Sequence, residues 1–174
     1  MPQPSHRSLT ATNFDAIAEG QRQWAKRHSR AAAEGLATIS STVRAADILW
    51  GGAEEALKPF GITFNQFELL TVLMYAKSGA LSMNKISTRL QLPPASLTHA
   101  VSRLEKLGLL QRIPNREDRR SVLVMVTDQG IALAGAATPQ VNKYFENIGL
   151  DAQDQAQLRA IAAKLRRKVG DVVE

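Results

Sequence analysis

The side chains best suited to recognition chemistry lie between Pro94 and Arg120. On a helical projection Ala95, Thr98, His99, Ser102 and Lys106 share one face, with Ser96 and Arg103 on its flanks. That face is small, hydrogen-bonding and basic, and none of its seven residues is acidic. The opposite face carries Leu97, Val101, Leu104 and Leu107, at steps of four, three and three residues. Pro94 stands at the first helical position, where no amide donor is needed. Such a polar face suits the floor of a DNA major groove, since small residues allow close approach and polar ones read base edges. It also describes an ordinary amphipathic helix with a solvated face.

Beyond Gly108, a left-handed cap for that helix, two strand-like runs flank a polar tip. Leu109 to Pro114 forms the first, and Ser121 to Thr127, rich in β-branched residues, forms the second. The tip between them, Asn115-Arg116-Glu117-Asp118-Arg119-Arg120, carries three arginines. A basic hairpin of this kind can insert Arg into a narrow minor groove and bind phosphates through bidentate charged bonds. Asp118 is placed to hold one of these guanidinium groups. The other reading of the tip is a solvated β-turn with surface salt bridges of small value.

These residues carry a resemblance. Asp118-Arg119-Arg120, an apolar strand and then Thr127-Asp128-Gln129-Gly130 resemble the wing signature of the MarR family of winged-helix transcription regulators. Leu90 to Leu107 is similar to that family's recognition-helix region, and Leu57-Lys58-Pro59-Phe60-Gly61-Ile62-Thr63 to its first-helix exit. The resemblance runs from about Ala37 to the C-terminus. It implies a mainly α fold with a small β wing: a winged helix-turn-helix domain plus N- and C-terminal dimerisation helices. It also implies a homodimer on a pseudo-palindromic double-stranded DNA operator, usually a repressor released by a small ligand. By position, Arg120 becomes the arginine that enters the minor groove and Asp118 the residue that positions it.

The elements that must hold these groups follow from capping and periodicity. The domain layout expected is an N-terminal extension with a short helix over 1–30, dimerisation helices over 31–60 and 128–174, and a winged helix-turn-helix over 61–127. Residues 1–12 are polar with two prolines and read as mobile. Asn13 or Asp15 caps a short helix whose Ile17 and Trp24 favour docking. Ala31 to Leu57 is helix-like, with a stripe of Leu36, Ile39, Val43, Ala46 and Trp50, and Gly51-Gly52 marks a weak point or bend. Thr63 and Gln66 form a capping-box pattern ahead of a core face of Phe67, Leu70, Leu73 and Met74. Ser82 caps the next helix, whose Ile86 and Leu90 point inward, and Gln91-Leu92-Pro93 is the turn. Thr127 caps a helix to about Asn147, kinked or interrupted near Pro139. Asp151 caps the last helix, striped by Leu158, Ile161, Leu165 and Val169. By residues alone this stripe suits a dimer or packing on its own chain.

Charge narrows the function. Of 22 Lys and Arg against 16 Asp and Glu, a net of +6, the whole excess falls between Lys77 and Arg120, which hold nine bases and three acids. The remainder of the chain is balanced. That is the footprint of a nucleic-acid reader rather than of a uniformly basic protein. With no cysteine, disulfides, thiolate metal sites and thiol redox sensing are excluded. The three histidines, at 6, 28 and 99, have no helical ligand spacing, so no metal and no cofactor are expected. No apolar span suits a bilayer, so no membrane partner is expected and the expected location is the cytoplasm. No phosphate loop, nucleophile elbow or buried carboxylate pair points to an enzyme, and Glu54-Glu55 read as solvated. An effector pocket is implied by the family. Trp24, Arg44, Asp47 and Trp50 would suit an aromatic or phenolic acid-like ligand by stacking and charge-assisted pairing, although a Trp at helical spacing also suits a core. The alternative function is an interaction or nucleic-acid-binding module with no operator specificity.

Overall fold

Local hydrogen bonds set where each helix starts. In this computed structural model, which describes residues 13–115 and 121–173, Asp15 Oδ1 accepts from the amides of Ile17 and Ala18 at 3.0 and 2.9 Å, opening α1 (Ala16–Ala25). Ser29 caps α2 (Arg30–Leu57), which runs on without interruption through Gly51 and Gly52. The Thr63 hydroxyl and the Gln66 amide oxygen close a complete capping box on α3 (Phe64–Met74). Ser82, Thr127 and Asp151 cap α4 (Met83–Leu90), α6 (Asp128–Glu146) and α7 (Ala152–Lys168), each side chain accepting the amide three residues on. The reading about residues 1–12 lies outside the described residues.

A three-stranded antiparallel sheet, in order β1-β3-β2, completes the fold. Strand β2 (Leu110–Pro114) pairs with β3 (Val122–Val126), Arg112 opposite Val124. The third member, β1 (Ala80–Ser82), has no counterpart in the sequence reading, because three residues are too short for an alternation to show. It pairs Leu81 with Val124. The core gathers Leu57, Leu69, Leu70, Leu73, Ile86, Leu97, Val101, Leu104, Val124 and Val141 from α2 to α6. The molecule is mainly helical with a small β wing, as expected.

Several local expectations change. Leu107 is 51% exposed rather than part of the buried stripe, and Ala100 takes a buried place instead. The cause is the helix end. The helix α5 (Pro94–Lys106) stops one residue short of Leu107, and Gly108 adopts φ +72°. The amides of Gly108 and Leu109 then return to the carbonyls of Glu105 and Leu104, at 2.9 Å each, a Schellman closure that turns Leu107 off the axis. Pro139 does not interrupt α6, whose buried Ala134, Ala137 and Val141 hold both halves against the body. Gly52 marks no break. Its missing side chain admits the Tyr144 ring, and a Cβ there would stand 2.3 Å from Tyr144 Cε2. Glu54 is not merely solvated: its carboxylate accepts the Phe64 amide at 2.9 Å, adding a long-range cap to α3.

Among the described residues, nothing covers the apolar stripe of α7 or the middle of that on α2, whose ends at Leu36 and Trp50 are half-buried. On α2, Ile39 and Val43 are exposed, and its buried residues are Ala33, Ala53 and Leu57. On α7 no residue is buried, and Leu158, Ile161, Leu165 and Val169 face outward. The helix α1 packs along α2 but buries nothing fully, and Trp24 stays 45% exposed.

Candidate nucleic-acid interface

The turn before α5 aims its polar face outward. Gln91 takes the left-handed conformation, φ 52°, and the Ser87 hydroxyl donates to the Leu92 carbonyl at 2.7 Å. Pro93 and Pro94 then start α5 in extended-then-helical geometry. Burial of Leu97, Ala100, Val101 and Leu104 in the core leaves Pro94, Ala95, Thr98, His99, Arg103 and Lys106 exposed and Ser96 and Ser102 half-buried. All eight residues expected on the reading helix therefore lie on one helix with its apolar side locked down. Among the described residues neither Arg103 nor Lys106 has an ion-pair partner, so both cations are available to an external anion.

Three polar side chains on α5, Thr98, Ser102 and Glu105, are already engaged. Thr98 Oγ1 donates to the Pro94 carbonyl at 2.8 Å. Ser102 Oγ accepts from Nη2 of Arg112 at 3.1 Å, and the same guanidinium is ion-paired with Glu105. Arg112 on β2 thus ties the wing base to the reading helix. Sequence reasoning counted Arg112 only as charge, since its partners on the helix lie seven and ten residues away.

At the wing base, Asn115 Nδ2 donates to Ser121 Oγ at 2.7 Å and its amide reaches the Ser121 carbonyl at 3.4 Å. These bonds bring the ends of the tip together. The tip residues Arg116, Asp118, Arg119 and Arg120 lie outside the described residues.

A cleft of about 540 Å³ runs along the flank of α5, lined by Glu54, Thr63, Asn65 and Gln66 on one side and Ala95, Ser96, His99 and Arg103 on the other. The four residues named for an effector are placed differently from one another. Trp50 is half-buried and meets Phe64 edge-on at 5.1 Å, and Phe64 in turn meets Phe145 at 6.1 Å. Arg44 and Asp47 are half-buried on the preceding turns of α2. Trp24 stacks on His28 at 4.3 Å on the surface of α1. Burial pushes the Glu68 carboxyl and the Tyr144 phenol up, while hydrogen bonds from Gln23 and Arg22 pull Glu19 down. Among the described residues no group of three His, Asp or Glu could hold a metal ion, and no helix is long and apolar enough to cross a membrane.

Known proteins share this arrangement. A MarR family model matches residues 60–121, the stretch from the end of α2 to the wing. The HTH-type transcriptional regulator PrsX of Escherichia coli is 31% identical over 132 residues, covering 75% of this chain and 80% of that protein. Sco5413, a MarR family transcriptional regulator from Streptomyces coelicolor, superposes with a TM-score of 0.72 at 36% identity, over 81% of this chain and 99% of its own. The chain belongs to the MarR family. A MarR mutant from E. coli solved with operator DNA is similar at 25% identity and a TM-score of 0.62, over 70% of this chain and 87% of that one. Against these relatives, the exposed face of α5 in this MarR-family chain is the surface to weigh for recognition. Its relatives are transcriptional regulators rather than enzymes.

Proposed function

We propose that this MarR-family chain is a DNA-binding transcriptional repressor. It acts as a homodimer on a pseudo-palindromic operator and is released by a small-molecule effector. The observation that carries the reading is α5 itself: its apolar side is buried and its acid-free polar face is open, within the segment that holds the chain's entire positive excess. In the operator complex, Thr98, His99, Ser102 and Arg103 touch base edges, and Ser96 and Lys106 touch phosphates. Pro94 and Ala95 allow the close approach. Arg120 enters the minor groove under the guidance of Asp118, and Arg116 and Arg119 bind the backbone. Two copies place their helices in successive major grooves, roughly 34–36 Å apart.

The dimer reading is supported by the uncovered stripes on α2 and α7, within the expected dimerisation segments 31–60 and 128–174. Exposed apolar residues lined up along a helix fit an interface better than a solvated surface. For the effector, Arg44, Asp47 and Trp50 follow one another at three-residue steps along α2, the helix against which α1, with Trp24, packs. An aromatic or phenolic acid would stack on an indole and pair with the guanidinium.

Equilibrium binding of the purified protein to duplexes selected from a random pool, repeated across salt concentrations, tests this. One palindrome should be strongly preferred, with a log–log salt slope of about −0.9 per phosphate neutralised. Steep salt dependence with no sequence preference would identify a general nucleic-acid or acidic-surface binder instead. Aromatic acids screened against the preferred complex should include one that releases it.

A further inference from the structure

The hydroxyls of Thr98 and Ser102 differ in what they have left to offer. A hydroxyl has one proton and two lone pairs. Thr98 spends its proton on the Pro94 carbonyl, 2.8 Å away, so toward any ligand it can only accept. Ser102, one turn on, is met by a cation: Arg112 Nη2 donates to its Oγ at 3.1 Å. Arginine has no acceptor, so the Ser102 proton must point elsewhere, and no described acceptor takes it. The guanidinium is itself held. Its Nη1 pairs with one Glu105 oxygen, the other Glu105 oxygen accepts the Arg112 amide at 3.3 Å, and both side chains are only about a third exposed.

We infer that Arg112 is a positioning residue for sequence readout: by filling one lone pair of Ser102 it turns that hydroxyl's proton toward the groove as a donor, while the Pro94 carbonyl leaves Thr98 an acceptor only. The inference rests on α5 lying in the major groove. There, Thr98 faces an exocyclic amine, adenine N6 or cytosine N4. Ser102 faces an acceptor, which is guanine O6 or N7, adenine N7 or thymine O4. The two hydroxyls sit four residues apart, about 6 Å along the helix, so they address separate base pairs. A serine without the arginine could rotate and accept or donate alike; the bridge to β2 occupies one lone pair and shifts the balance toward donating.

Selection of duplexes from a random pool, run on the wild type and five variants, tests the assignment. Ser102→Ala and Arg112→Lys should flatten the preference at the same base pair, with discrimination there falling roughly fivefold or more. Other positions and the salt slope should be unchanged, because lysine keeps the charge but loses the planar fork. Glu105→Gln, which frees the guanidinium without altering it, should flatten that same position and carries the test if Arg112→Lys does not fold. Thr98→Val should flatten a different position, one where the wild type selects an amine, and Thr98→Ser should restore it. An Arg112→Lys protein whose profile is unchanged, or which weakens on every duplex equally, overturns the inference. So does a Ser102 position at which only amines are selected. A wild type that selects no sequence at all removes the groove placement itself, and is distinguished by its flat profile before any variant is made.

Discussion

Gly52→Ala is expected to destabilise the protein, although the general effect of replacing a mid-helix glycine by alanine is the opposite. A methyl group at Gly52 would lie 2.3, 2.4 and 2.5 Å from Cε2, Cζ and Oη of Tyr144. Carbon atoms in contact prefer 3.5–4.0 Å, so the ring must retreat by about 1 Å. It is not free to do so: the Tyr144 hydroxyl donates to the Leu49 carbonyl at 2.7 Å, tying α6 to α2 across 95 residues of chain. Overpacking costs about 1–3 kcal/mol, and the lost hydrogen bond about 1 kcal/mol more. Helix propensity returns only about 1 kcal/mol. The net is a loss of about 2 kcal/mol, or roughly 4–8 °C in Tm for a chain of this size. Urea unfolding at fixed protein concentration reads this as a lower midpoint with an unchanged slope. In a Tyr144→Ala background the clash disappears, and Gly52→Ala should then stabilise by about 1 kcal/mol. If Gly52→Ala stabilised the protein with Tyr144 in place, the close approach of ring and helix would not be the constraint described.

Three other perturbations bear on the site and its support. Ile161→Glu, at a position 57% exposed on α7, puts a charge into each half of the proposed interface. Light scattering should show monomer, and operator affinity should fall at least tenfold; an intact dimer would refute the placement of that stripe. Arg103→Ala should cost about 1–3 kcal/mol against the preferred operator and relax preference at one base pair, provided it reads a guanine; equal weakening on all duplexes would make it a phosphate contact. Glu68→Gln tests the half-buried carboxylate of α3. Burial raises its folded-state pKa, so the unfolded chain ionises first, and the native state loses stability as pH rises above the ordinary value of about 4.3. Thermal melts should show the variant more stable than wild type at pH 7 and equal to it below about pH 3, where the carboxyl is protonated in folded and unfolded chains alike. A gain that persists at low pH would assign the effect to something other than charge.

Sequence alone determined whatever a single turn of chain can decide. The caps at Asp15, Thr63, Ser82, Thr127 and Asp151 are each made by a side chain reaching an amide two or three residues on. The two faces of α5 follow from helical period, and the hairpin from a β-branched second run facing a first run closed by Pro114 and Asn115. Tertiary structure alone decided the rest, because it depends on atoms that meet only after the chain has folded back. A three-residue β1 exists because β3 offers it a ladder. Glu54 becomes a cap because the end of α2 lies against the start of α3. Gly52 is a seat for a ring that arrives from α6. Arg112 became the brace of Ser102 only when β2 was laid beside α5. Periodicity could mark the stripes of α2 and α7 as apolar, yet only the packed chain shows that nothing within it covers them among the described residues. A pattern reports which faces avoid water, and the arrangement of the whole molecule reports which of them have already found a partner.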